Sequence, residues 1–320
     1  MRKIILTGAS GFLGRSLLAR LAKNDALQVY AMTGKPELLR REFDRPNMVF
    51  MERNALMERP DAAEIVRGAY VINCAFPRNT DGICLAEGLS YINRLFCLCA
   101  SYGAAAVINI SSQSVYSQKR TEAADENTAL NLESVYATGK YATELMLETA
   151  CASLPHTNLR LSSLIGPDFN QRITNKLIDR ILAGNAITVS VNQRRFGFMD
   201  VEDASGAILA LLDTDPARWK AVYNVGTGRG YSLSEISECL VKLSGELMQS
   251  VPQVGTVANE ESGNTAVSGR LLQADTGFVS GCSLEDSLRK IFQSKLARAR
   301  QMNDPAARQT DGTQTGTTTM

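Results

Sequence analysis

The chain has 320 residues, with 34 Lys and Arg against 33 Asp and Glu, a formal net charge of +1. Hydrophobic residues at 44% and charged residues at 21% describe a globular protein and exclude wholesale disorder. The balanced charge excludes a global field that would recruit nucleic acid or anionic lipid. The length suffices for one large core or two modest ones.

A single histidine, His156, excludes a Ser-His-Asp hydrolase, which needs an imidazole base, and argues against a zinc centre. It sits in the turn-like segment Leu154–Asn158, and no metal site is expected. The cysteines (Cys74, Cys84, Cys97, Cys99, Cys151, Cys239 and Cys282) show no C-x-x-C spacing and read as reduced thiols. Cys97 and Cys99 should face different sides of one helix. No run approaches about eighteen apolar residues, and glycines interrupt the opening apolar run too early for a signal peptide. Neither a membrane nor a nucleic acid is therefore expected as a partner, and the chain is placed in the cytoplasm.

In chain order, Lys3–Leu6 is a compact strand, followed by glycines and an amphipathic helix over Gly14–Lys23. Further strands are expected at Leu27–Ala31, Met48–Met51, Ala69–Ile72, Ala106–Ile110 and Asn158–Leu161, with long helices over Cys84–Tyr102 and Ser134–Ala152. Short strands buried on both faces and separated by helices imply a parallel sheet with right-handed crossovers. The expected fold class is α/β, a doubly wound parallel sheet over 1–165 with a return helix at about 198–214. A smaller, less regular α/β domain over 166–300 should bind substrate at the carboxyl edge of the sheet. Beyond Pro167, helices are expected at about Asn175–Ala183, Val201–Leu212 (the return helix), Ser234–Ser244 and Leu284–Ala299, and short strands at Ala186–Val191 and Val222–Val225. Residues 303–320, poor in apolar side chains, read as a disordered tail.

Gly8-Ala9-Ser10-Gly11-Phe12-Leu13-Gly14 lies directly between the first strand and the first helix. Glycines there let the chain turn, admit a pyrophosphate to backbone N–H groups and let helix pack on strand, while the helix N-terminus adds positive charge. The spacing is G-x-x-G-x-x-G, and with Arg15 after Gly14 it is no Walker A loop. Tyr136 and Lys140 are four apart on a predicted helix, hence on one face. An ammonium beside a phenol favours the phenolate, so the tyrosine can act as acid and base where no histidine is available. Asn109–Tyr116, carrying Ser111, Ser112 and Ser114, leaves the end of the fifth strand, where a serine hydroxyl could hold a carbonyl oxygen.

Together, the glycine loop, Ser112-Gln113-Ser114-Val115-Tyr116 and Tyr136-Ala137-Thr138-Gly139-Lys140 resemble the extended short-chain dehydrogenase/reductases of the NAD-dependent epimerase/dehydratase type. Leu159–Pro167, Phe198–Ala204, Tyr223–Gly228 and Ser232–Ile236 are similar to later segments of that family, so the resemblance spans about residues 2–295. It implies a Rossmann-type fold, a nicotinamide dinucleotide and a nucleotide-activated sugar as substrate, with a homodimer formed through the two long helices. It makes Tyr136 the general acid/base, Lys140 the residue that binds the nicotinamide ribose and favours the phenolate, and Ser112 the partner of the substrate oxygen. Gly8, Ser10, Gly11, Phe12, Leu13, Gly14, Asn54, Ala55 and Ala75 would line the cofactor. Ser163 stands where the family has Asn before the Gly-Pro crossing, and Arg195, preferred over Arg194, would meet the diphosphate.

Departures from the family narrow the expectation. Gln113 and Ser114 replace the Asp-Glu pair of the 4,6-dehydratases and cannot perform their proton transfer. No carboxylate follows the second strand, where NAD-specific members place one on the ribose 2′-OH. Lys35 could instead meet a 2′-phosphate, which favours NADP(H). Asn192-Gln193 replaces a glycine-rich turn after Ala186–Val191. Epimerase and ketoreductase both suit this core. The alternatives are an NADPH-dependent reductase of a non-sugar carbonyl compound and a non-catalytic NADP(H)-sensing protein.

Overall fold

The computed structural model describes residues 1–77 and 79–303; apart from its first residue, the expected tail over 303–320 lies outside the described residues. Two compact units divide the chain. The first comprises 1–164, 193–231 and 260–281, and the second comprises 165–192, 232–259 and the chain from 282 onward.

The first unit is built on strands β1 (Arg2–Thr7), β2 (Leu27–Thr33), β3 (Met48–Glu52), β4 (Tyr70–Asn73), β5 (Ala106–Ser112) and β6 (His156–Leu161). After β7 (Ser163–Ile165) and β8 (Ile187–Asp200), strand β9 (Val222–Val225) completes a seven-stranded sheet in the order β3-β2-β1-β4-β5-β6-β9. All its pairings are parallel. The strand order reverses beside β1, which places the glycine loop at the switch point where doubly wound sheets bind ligands. Helices α1 (Phe12–Leu21), α2 (Pro36–Glu42), α3 (Ala55–Glu58), α4 (Ala62–Val66), α5 (Gly82–Tyr102) and α6 (Val135–Ala150) follow the strands.

The strands are apolar on both faces because both are covered. One core joins Ile4, Leu6, Ile108 and Ile110 of the sheet to Leu17 and Leu18 of α1. Ala204, Ile208 and Leu211, from the return helix that follows β8, complete that side. On the other face Ile5, Val71 and Val107 meet Ile92, Leu95 and Phe96 of α5 and Leu147 of α6. Side chains alternate along a strand, so neighbouring residues serve opposite cores.

In the second unit, α7 (Ile173–Leu182) is followed, after the return helix α8 (Val201–Leu212) of the first unit, by α9 (Leu233–Met248). Strand β10 (Gly230–Tyr231) and the short α10 (Arg270–Thr276) belong to the first unit, β11 (Val254–Asn264) runs from the second into the first, and α11 (Leu284–Asn303) lies in the second. Leu177, Ile178 and Ile181 of α7, Ile236, Leu240 and Leu243 of α9, and Leu288, Ile291 and Phe292 of α11 are all buried, at the three- and four-residue spacing of apolar helix stripes. Ser232 caps α9 in a reciprocal box with Glu235, which satisfies two N-terminal donors at once.

Two expectations need correction. His156 opens β6 rather than sitting in a turn, with Nδ1 2.8 Å from the Leu154 carbonyl oxygen. The strand expected at Ala186–Val191 continues as β8 to Asp200, so no turn occurs at Asn192-Gln193. The alternation of exposed and half-buried residues over 190–196 shows why: this stretch has a wet face, and an apolar run does not reveal it. Helix α5 is, by length and composition, apolar enough to cross a membrane, with a mean hydropathy of 1.3 over its best 18 residues. It nevertheless carries Glu87 and Arg94 and packs Tyr91, Ile92, Leu95, Phe96 and Cys99 into the sheet core. Cys97 is exposed and Cys99 buried, and none of the seven cysteines is in a disulfide.

Candidate active site

The glycine loop is shaped by backbone contact. Gly8 adopts φ +65°, and a Cβ there would lie 2.8–2.9 Å from the Cys74 carbonyl group and the Ala75 nitrogen. A Cβ on Gly14 would lie 2.2 Å from the Gly8 oxygen, and one on Gly11 3.1 Å from the same atom. These positions thus close β1, the end of β4 and the first turn of α1 onto one another, which only glycine permits. Gly11 caps α1 without a side-chain hydrogen bond, which places a helix N-terminus, a favourable end for an anion such as a pyrophosphate, directly after the loop. Leu13 is buried in the core and can offer only its backbone, whereas Ser10 and Phe12 are half-buried. Thr7 ties the two strand ends together: its carbonyl accepts from Cys74 N at 3.2 Å and its Oγ1 from Ala75 N at 3.4 Å.

Helix α6 presents the proposed acid–base pair. Ser134 caps it by accepting from Ala137 N at 3.1 Å, leaving Tyr136 in the first turn at 39% exposure and Lys140 one turn deeper at 5%. Lys140 Nζ donates to the Ile110 carbonyl of β5 at 2.8 Å. The ammonium lies 4.2 Å from the Phe76 ring centroid and 6.0 Å from that of Tyr136. Phe76 meets Tyr136 edge-on, the centroids 5.4 Å apart. Burial drives the Lys140 ammonium down to about 8, against the upward pull of Cys74 and Glu144. The same burial pushes the Cys74 thiol up to about 12. Gly139 makes room for the cluster, since a Cβ there would come within 2.9 Å of Leu85 and 3.1 Å of Phe76.

Ser112 ends β5, two residues beyond the carbonyl that holds Lys140. Its Oγ accepts from Ser114 N at 3.2 Å and Ser114 Oγ at 3.0 Å. Its neighbour Ser111 turns to the other face of the strand and donates to Glu144 of α6. Gln113 is buried against Gln118 and Arg120. Burial lowers Arg120 to about 10.

The other predicted residues stand apart from this cluster. Asn54 lines a cavity of about 510 Å³ with Arg53, Ala86, Glu87, Ser90, Tyr91 and Arg94, and Ala55 follows it at the start of α3. The hydroxyl of Tyr91 is buried with no hydrogen-bond partner, and burial pushes it up to about 12. Lys35 is exposed at the start of α2, its N–H held by Thr33 Oγ1 at 3.1 Å. Ser163 is half-buried at the start of β7. Arg195 is exposed on β8, its carbonyl accepting from Thr265 N at 2.9 Å, while the Arg194 guanidinium lies 5.6 Å from the Phe196 ring. Cys74, Phe76, Glu144 and Arg160 were not legible as site residues. Placing Phe76 beside Lys140 requires the three-dimensional meeting of α6 with the end of β4.

Comparison with known proteins agrees with this frame. Residues 4–226 match the NAD dependent epimerase/dehydratase family. No curated protein sequence matches at a significant level. Among solved structures, UDP-glucuronic acid 4-epimerase from Bacillus cereus, in complex with UDP-glucuronic acid and NAD, is similar at 20% identity and a TM-score of 0.76, covering 92% of this chain and 99% of that one. dTDP-glucose 4,6-dehydratase from Bacillus anthracis, in complex with NAD, gives 18% identity and a TM-score of 0.78 over 94% and 98%. UDP-N-acetylglucosamine 4-epimerase from Bacillus cereus gives 18% and 0.75 over 93% and 100%. The glycine cradle at the switch point, the Tyr-x-x-x-Lys helix and the match over residues 4–226 converge: the chain belongs to the NAD-dependent epimerase/dehydratase family.

Proposed function

We propose that this protein is a nucleotide-sugar epimerase that uses a nicotinamide dinucleotide held at the switch point. The observation that carries the proposal is the Tyr136–Lys140–Phe76 cluster at the end of β5, beside a loop whose glycines let β1, the end of β4 and the first turn of α1 close together at the switch point. Gly8, Ser10, Gly11, Phe12 and Gly14 would hold the pyrophosphate through backbone and loop contacts, with Leu13 contributing its N–H alone. Asn54, which lines the cavity beside α5, and the neighbouring Ala55 would border the adenosine end. Ala75 would border the middle, and Lys140 the nicotinamide ribose. The cofactor supplies reversible hydride transfer to and from one sugar carbon.

The chain's own residues handle the proton. As the sugar hydroxyl is oxidised, Tyr136 accepts its proton while Ser112 hydrogen-bonds the oxygen that becomes the carbonyl. The charged Lys140 stabilises the phenolate during that transfer. Reduction of the opposite face returns the proton from Tyr136 and inverts the carbon. Dehydration is disfavoured, because Gln113 is engaged with Gln118 and Arg120 and neither it nor Ser114 titrates in the range required. Arg195 and Ser163 are proposed contacts to the nucleotide diphosphate and sugar.

The cofactor proposed is NAD, as in the similar structures. Lys35 is the residue through which an NADP(H) preference would enter. A cytoplasmic location and a homodimer through α5 and α6 are also proposed, the dimer on the exposure of Ile83, Val135 and Leu145 along these helices.

The test is to incubate the protein with UDP-sugars and NAD and to follow inversion at C4 by proton NMR. Conversion that Tyr136→Phe abolishes, with NAD affinity nearly unchanged, supports the proposal. Undiminished conversion in that variant refutes the role of Tyr136. A folded protein that inverts none of the sugars but oxidises NADPH against a carbonyl compound would make it a reductase.

A further inference from the structure

Two rows of buried polar side chains cross the sheet on the face covered by α6. In the first, Thr7 Oγ1 donates to Asn73 Oδ1 at 2.7 Å, and Asn73 Nδ2 to Asn109 Oδ1 at 3.0 Å. Asn109 Nδ2 in turn reaches Asn158 Oδ1 at 2.9 Å and Thr143 Oγ1 of α6 at 3.0 Å. The four strand residues are register partners on β1, β4, β5 and β6. The second row lies two residues further along, where Ser111, Arg160 and Asn224 are partners on β5, β6 and β9. There Arg160 grips Glu144 of α6 with Nε at 3.0 Å and a terminal nitrogen at 2.7 Å, while Ser111 donates to the same carboxylate. Arg160 also donates to Tyr116 OH at 3.0 Å, and Tyr116 OH to Asn224 Oδ1 at 3.0 Å.

Glu144 lies one helical turn after Lys140, and consecutive residues of β5 hold the two: the Ile110 carbonyl takes the ammonium and the Ser111 hydroxyl meets the carboxylate. We propose that Glu144 is a positioning residue for Lys140: clamped by Arg160 and Ser111, its carboxylate is the fixed negative charge that keeps the buried ammonium charged and its helix turn seated on β5. This rests on reading Tyr136 and Lys140 as the acid–base pair. Among the described residues, the groups facing Lys140 are the Cys74 thiol and Phe76 ring from beyond β4, the Ile110 carbonyl from β5, and Tyr136 and Glu144 on its own helix. Burial holds the Cys74 thiol neutral. That leaves Glu144 as the anion in the set. Arg160 stays charged even though burial opposes it, because Glu144 more than offsets that penalty.

The proposal is tested on the 320-residue chain without cofactor or substrate. Lysine Cε resonances are titrated by carbon-13 NMR, with Lys140 assigned by the signal missing in Lys140→Met. Glu144→Gln alone strands the buried Arg160 and can fail to fold, so the paired variant Glu144→Gln/Arg160→Met is measured as well. The wild-type midpoint is expected near 8, and either folded variant should lower it by roughly one pH unit. An unchanged midpoint in the folded paired variant overturns the proposal. If the midpoint falls as expected but no dinucleotide binds and no sugar is inverted, the proposed function fails while the Glu144–Lys140 coupling stands.

Discussion

Replacing Lys140 by Met should stabilise the fold at neutral pH while removing the proposed activity. Lys140 titrates near 8 in place of its ordinary 10.5. At about 1.36 kcal/mol per pH unit, keeping it charged in the folded state costs roughly 3 kcal/mol. At 5% exposure, solvent screening reduces that figure little. Met loses the hydrogen bond to Ile110, which gives back ~1 kcal/mol, so the net gain at pH 7 should be about 2 kcal/mol. The sign follows from proton counts. A lysine whose folded value lies below its unfolded value penalises the fold fully below about pH 8, and the penalty fades as pH rises from 8 to 10.5. Urea unfolding at pH 7 and pH 10 measures both parts. The variant should be the more stable at pH 7 and lose that advantage by pH 10. A variant less stable at pH 7, with wild-type pH dependence, would refute the reasoning.

Other outcomes follow from the same geometry. Gly14→Ala puts a Cβ 2.2 Å from the Gly8 oxygen; thermal unfolding should show a loss of about 1–3 kcal/mol from overpacking, and fluorescence titration a loss of NADH binding. Arg160→Met alone strands Glu144, and denaturant unfolding should show a loss of roughly 3–5 kcal/mol. The paired Glu144→Gln/Arg160→Met variant should recover much of it, whereas two additive losses would mean the ion pair is not coupled. Lys35→Glu should weaken NADPH binding and leave NADH binding nearly unchanged, a comparison that calorimetry makes directly.

The parallel sheet was legible because β1 to β6 are short apolar runs between helices, a pattern that sheets covered on both faces impose. The glycine loop was legible because its spacing follows a strand and opens a helix, and the structure adds the reason: Gly8 and Gly14 touch backbone. Strand β11 was not foreseen. Its residues 254–262 are exposed, so neither an apolar run nor a buried alternation marks them. Strand β8 was cut short because its residues 192–195 are Asn, Gln, Arg and Arg. Tyr136 and Lys140 could be paired by their helical spacing. Glu144 and Arg160 are 16 residues apart in sequence and meet only because α6 folds back over β6. Phe76 likewise reaches Tyr136 through the packing of α6 beside the end of β4, a contact between distant segments that no local pattern encodes.

The most direct test is equilibrium titration of NAD into the purified chain, after denaturing a separate sample to identify any nucleotide already held. The expected result is a nicotinamide dinucleotide released on denaturation, or one NAD bound per chain by the stripped, folded protein. A folded chain that releases no such dinucleotide and binds neither NAD nor NADP would contradict the assignment of the glycine cradle and of the Tyr136–Lys140 pair beside it.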